Sequence, residues 1–200
     1  AASLAEGLAR LFKPSDRVGV KVNTIGGRKL STRPEVALGL AAAFKGSGVS
    51  DKSLLIWDRT NRELRDAGFV LSLGSSGVKV YGTDTEGAGY DGELYVKGEV
   101  GSLFASIQSR HTTASVSLGL LKDHGLAGVT AGMKNYFGAI HNPNKYHDSR
   151  CDPFVAEVFD APPVRSKHRL SVLDALLVQF HKGPSHHPKW AAKFNGLVFG

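Results

Sequence analysis

The feature that most constrains this chain is a strand-loop-helix unit, present twice in its N-terminal third. Residues 17–24 (Arg-Val-Gly-Val-Lys-Val-Asn-Thr) alternate in strand fashion, with Val18, Val20 and Val22 facing one way and Lys21 and Asn23 leaving the strand end on the other face. Gly26-Gly27 turn the chain, and Ser31 or Thr32 caps a helix that has Pro34 in its first turn and runs through 36–44. Residues 53–58 (Ser-Leu-Leu-Ile-Trp-Asp) form a short apolar run of buried-strand type, and Asp58-Arg59-Thr60 leads into a helix carrying Leu64 and Phe69. Strands alternating with helices predict an α/β fold: a mostly parallel sheet with helices on both faces, in a Rossmann-like three-layer arrangement. Such sheets hold ligands beyond the carboxyl ends of their strands, which sends Lys21, Asn23, Asp58 and Arg59 to one edge.

The rest of the chain fits that plan. A helix is predicted over 2–12 and stopped by Pro14, a third strand over 78–82, and a glycine-rich loop over 83–90. A hairpin turns near Gly98, a helix is expected over 100–109, and a strand over 113–121 delivers Lys122-Asp123-His124 at its carboxyl end. A helix over 126–136, a polar loop over 141–153, a helix over 155–159 ended by Pro162-Pro163, and a last strand over 170–177 complete the expectation. His181, His186 and His187 fall in an exposed loop, and 195–200 reads as an unfinished strand with more protein beyond it. The opening Ala-Ala-Ser without Met fits a processed precursor or a fragment.

Composition narrows the function. A chain of 200 residues, 42% of them hydrophobic, can bury one core, so a single domain over 1–200 is expected. Cys151 is the only cysteine, which excludes an internal disulfide and a cysteine-only metal site. No apolar run approaches the roughly 20 residues that span a bilayer, so membrane insertion is not expected. The net charge of +7 suits an anionic partner. Its Lys and Arg are scattered and no nucleic-acid-binding pattern accompanies them, so the partner expected is a small anionic molecule.

The stretch 120–147 gathers the chemistry: Lys122, Asp123, His124, Lys134, Asn135, His141 and His147, with Gly125, Gly128 and Gly132 letting backbone approach a ligand. Its glycine spacing matches no phosphate-loop or dinucleotide pattern. His124 is a candidate acid-base residue, or a surface histidine held by Asp123. Lys134, if desolvated, is a base or an imine-forming amine, and otherwise a helix-start lysine in water. Asp58 is a catalytic candidate or the partner of Arg59. Lys21, Asn23, Arg33, Lys122, Lys134 and Asn135 are candidate cofactor- or anion-binding residues. His141, His147 and Cys151 have the chemistry for zinc, nickel or iron, with Asp148 or Asp152 as an oxygen ligand, set against plain loop packing.

Taken together, Val18-Gly-Val-Lys-Val-Asn-Thr, Ile56-Trp-Asp-Arg-Thr, Leu121-Lys-Asp-His, the run from Met133 to His147 and Cys151-Asp-Pro resemble a widespread bacterial family, domain of unknown function 362. Many of its members carry a twin-arginine export signal and others ferredoxin-type iron-sulfur modules. The resemblance therefore implies an exported, periplasmic protein and a redox or metal-handling partner. More distantly, the run from His124 to Lys134 is similar to an element of nickel-pincer lactate racemases, whose lysine tethers a pyridine-derived nickel cofactor and whose histidine is an acid-base. Thr32-Arg33-Pro34 is similar to their phosphate-binding motif. That likeness implies Arg33 for an anion, Lys134 for the cofactor or a substrate carboxylate, and His124 beside it. Leu30 and Asn61 stand where those enzymes have an aspartate and their second catalytic histidine. Two functions follow as expectations: a metal- or cofactor-dependent enzyme acting on a small carboxylate, or a non-catalytic exported module that binds metal or anions or serves electron transfer.

Overall fold

The computed structural model describes residues 3–200, so the first residue of the helix expected over 2–12 lies outside the described residues. In chain order the elements are α1 (Leu4–Leu11), β1 (Val18–Lys21), α2 (Pro34–Gly46), β2 (Leu54–Trp57), α3 (Asn61–Asp66), β3 (Lys79–Val80), β4 (Tyr95–Lys97), β5 (Val100–Ser102), β6 (Ala114–His124), β7 (Gly128–Thr130), α4 (Phe154–Asp160), α5 (Pro162–Arg165), β8 (His168–Gln179) and β9 (Ala191–Phe199). The main sheet runs β3-β2-β1-β6-β8-β9. β3, β2, β1, β6 and β8 are parallel and β9 closes one edge antiparallel, so the expected mostly parallel α/β sheet is what forms. No helix among the described residues is long and apolar enough to cross a membrane.

Alternation along each strand divides the interior into two cores. Val18, Val20, Ile56, Val116 and Leu118 point to one face, where Leu8 of α1 and Phe12 just after it, Ala37, Leu40 and Phe44 of α2, and Leu64 of α3 cover them. Leu55 and Trp57 point to the other, against Phe104, Ile107, Tyr136, Phe137, Val158 and Val164. Polar positions in β1 and β6 fall on this second face: Lys21 and Ser117 are both fully buried, and both are hydrogen-bonded to the segment that packs over them.

Two helices read from the sequence are corrected. Over 126–136 the chain instead turns back on β6 as β7, pairing Lys122 with Thr130 and His124 with Gly128, before a tight helical turn at Lys134–Ala139. Over 100–109 it forms β5 and then a wide helical turn at Ile107–His111. The first correction builds the site. β1 stops opposite Ser117 while β6 continues, and β7 takes up the vacated side of β6 beyond the end of β1.

Candidate functional site

A cavity of about 390 Å³ opens where β1 and β2 end and the β6–β7 hairpin stands above them. That places it at the carboxyl edge of the parallel strands and at the small end of the roughly 300–1,000 Å³ range of small-molecule sites. Lys21, Asn23, Asp58, Lys122, His124, Lys134, Asn135 and His147 all line it. The loops at 143–144 and 183–184 form the far wall. Asp123 fixes part of that wall by accepting the Gly183 N–H at 2.9 Å.

The floor is an ion pair under a glycine. Lys21 Nζ lies 2.5 Å from Asp58 Oδ1 and also donates to the Val22 carbonyl at 2.8 Å. Asp58 accepts three further hydrogen bonds, from the Thr24 N–H, the Thr24 hydroxyl and the Arg59 N–H, each at 2.7 Å. Asn135 donates to the Lys21 carbonyl at 2.8 Å and to Ser117 Oγ at 3.1 Å, tying the tight turn to β1 and β6. A carboxylate so occupied anchors the ends of β1 and β2 around Thr24 and Arg59. Gly138 crosses this pair so closely that an added Cβ would lie 2.7 Å from Lys21 Nζ and 3.1 Å from Asp58 Oδ1. Because the ammonium is pinned by its acceptors, Gly138→Ala is expected to cost about 1–3 kcal/mol, read as a lowered midpoint in denaturant at unchanged slope.

The walls carry cations without counter-ions. Lys122 is 1% exposed, and its ammonium has one long contact, 3.4 Å to the Leu30 carbonyl. Burial pushes it down to about 8, with Asp58 pulling the other way. Lys134 is 8% exposed and is likewise pushed down to about 8 by burial, against the opposing influence of Cys151. Neither forms an ion pair among the described residues. Asn23 and Thr130 also line the cavity, and each has a buried side-chain oxygen, Asn23 Oδ1 and Thr130 Oγ1, without a hydrogen-bond partner among the described residues.

Two imidazoles complete the cavity. His147 Nδ1 lies 2.9 Å from the Pro143 carbonyl, which can only accept, so the proton sits on Nδ1 and Nε2 accepts from Lys134 Nζ at 3.1 Å. The Leu126 and Ala127 N–H groups donate to His124 Nδ1 at 3.3 and 3.1 Å, leaving the neutral ring with its proton on Nε2. Burial, then the charges of Lys134, His147 and Lys122, hold His124 down to about 4, so it is neutral at physiological pH. The rings stack with centroids 5.6 Å apart. Lys134 Nζ also sits 3.6 Å from the centre of the Phe137 ring.

Other expected site residues part company. Arg33 is exposed and lines a separate groove with Arg28, Lys29 and Ser31, so it does not share the cavity with His124 and Lys134. His141 is exposed and packs edge-on against Tyr90, at 5.1 Å, and Cys151 is buried with its Sγ 4.0 Å from the His147 carbonyl. Of the three expected metal ligands only His147 faces the cavity, and among the described residues no three His, Cys, Asp or Glu side chains are grouped to hold a metal. Of the three residues that the nickel-pincer likeness implied, His124 and Lys134 share the cavity and Arg33 lies outside it. Asn61, at the position of the second catalytic histidine, accepts from the Gly82 N–H and donates to Thr85 Oγ1, as a loop anchor does.

Sequence reasoning did not single out Glu63, Thr130 or Ser117. Glu63 lies in the first turn after Asp58-Arg59, and burial with the nearby Asp58 charge raises its carboxyl. The signal for Ser117 was present: Ser115 and Ser117 alternate with Val116 and Leu118 in a strand buried on both faces. The family model described as Domain of unknown function (DUF362) matches residues 18–200. No curated protein matches the chain.

Proposed function

The chain belongs to the DUF362 family, whose description carries no activity, and from the cavity we propose that it binds a small carboxylate-bearing anion and moves a proton on it. One observation carries the reading: Lys122 and Lys134 are buried in one cavity and neither forms an ion pair among the described residues, the Asp58 carboxylate there being already paired with Lys21. Folding does not retain such desolvated cations for stability, because an apolar residue of the same shape would serve better. A bound anion supplies the missing charge beside Asn23 and Thr130, whose side chains line the same cavity. In this reading Lys122 holds the carboxylate, Lys134 passes a proton to His147, and neutral His124 offers its Nε2–H to the reacting group. Export, and a redox or metal-handling partner, remain part of the proposal on the strength of the family's exported and iron-sulfur-bearing members.

Calorimetric titration with acetate, lactate and pyruvate tests it. Affinity should be greatest below neutral pH and weaken as pH rises through about 8, since the free ammoniums lose their protons there. Affinity that is flat or rises across that interval would remove the proposal. The alternative, a non-catalytic anion-binding module, is favoured by the saturation of Asp58, which leaves the floor of the cavity without a free carboxylate base. Exchange of the ligand's C–H protons with deuterated solvent, followed by NMR, separates the two: exchange supports an enzyme, and binding without exchange supports the module.

A further inference from the structure

We propose that the molecule captured here is a 2-oxo acid, its carboxylate held by Lys122 and its carbonyl carbon attacked by Lys134 to form an imine. The inference rests on the anion-binding reading and names the substrate class for that site. The two cavity lysines have unequal surroundings. Among the described residues Lys122 has one long contact, to a backbone carbonyl, and no hydrogen-bonded base, which suits a fixed charge. Lys134 has an imidazole nitrogen 3.1 Å away, set to accept by the bond that the other ring nitrogen makes to Pro143. An ammonium that only anchors an anion has no need of a proton acceptor; an amine that must attack a carbonyl does.

The steps balance. Lys134 gives one proton to His147 Nε2 and, as the free amine, forms a C–N bond to the carbonyl carbon. The nitrogen's proton moves to the former carbonyl oxygen, giving the carbinolamine. His147 returns its proton to that hydroxyl, the C–O bond breaks, water leaves, and a protonated imine remains. No oxidant or reductant enters. The Phe137 ring, 3.6 Å from Nζ, faces a cation both before and after the reaction, and its π-face stabilises the iminium as it does the ammonium. It also closes one side of the nitrogen, so the carbonyl must approach from the cavity. Neutral His124, stacked on His147, supplies a second polar hydrogen next to the reacting centre.

Borohydride trapping tests this on the unmodified chain. With pyruvate and borohydride at pH near 8, peptide mapping should find the reduced adduct on the peptide containing Lys134, suppressed by excess acetate, which occupies the carboxylate site but has no carbonyl to trap. Lys134→Arg should lose the adduct while still binding acetate. Pyruvate binding in the calorimeter with no adduct, or adducts spread over exposed lysines and insensitive to acetate, overturns the imine and leaves the anion site standing. Failure of both pyruvate and acetate to bind overturns the imine together with the anion-binding reading beneath it.

Discussion

Lys122→Met is expected to make the protein more stable and at the same time unable to hold its ligand. The wild-type ammonium is desolvated from about 10.5 to about 8, and each unit of such a shift corresponds to roughly 1.4 kcal/mol, so removing the charge should add about 3 kcal/mol at neutral pH. For a chain of this size that is a rise of roughly 6–12 °C in Tm. Methionine fills the volume of the lysine stem, so no cavity offsets the gain. The same change should weaken carboxylate binding by at least about 2 kcal/mol, around 30-fold, because the ligand's charge is left without its buried partner. Differential scanning calorimetry paired with titration reads both at once. A variant that is destabilised, or that binds as well as the wild type, sinks the assignment.

The pH dependence carries the same signature. The unfolded chain keeps the Lys122 and Lys134 protons to about 10.5, whereas the folded protein releases them near 8. Between those values the unfolded state binds more protons, so stability rises with pH in the wild type and rises less in Lys122→Met. Functional sites concentrate this kind of conflict between stability and charge.

Asp58→Ala should act in the opposite direction. It removes the counter-ion of Lys21, the only one among the described residues, from a side chain 1% exposed, together with the acceptor for Thr24 and the Arg59 N–H. Stranding a buried cation in this way costs about 3–5 kcal/mol. Pairing it with Lys21→Met should recover most of that loss, because the stranded charge is then gone as well, and the coupling measured by the double-mutant cycle should be large and favourable. A single variant that kept its stability would overturn the anchoring role of Asp58. Urea denaturation of the single and double variants distinguishes these outcomes.

Much of the architecture was legible because it is written in neighbouring residues. Val18, Val20 and Val22 alternate around Lys21, and the leucines and alanines of α2 recur at helical spacing behind Pro34. Those patterns specify strand, helix and buried face before any long-range contact forms. They also placed Lys21, Asn23, Asp58, Lys122 and His124 at one edge, which holds. The segment 126–136 was misread because Leu126, Ala127, Val129 and Ala131 satisfy a helical period about as well as an extended one. Gly128, at φ +77°, decides for the hairpin by taking a left-handed conformation that turns the chain back along β6.

What the sequence by itself determined was therefore the layered α/β plan and the strand ends at which chemistry collects, because backbone periodicity is a local property. Tertiary structure alone decided which of the collected groups act together. It brought His147 to Lys134 and His124 across the hairpin and the helical turn, saturated Asp58 with four donors, and left Arg33 and His141 outside. Charge, burial and free hydrogen-bonding capacity depend on residues distant in the chain, so no local pattern could have assigned them.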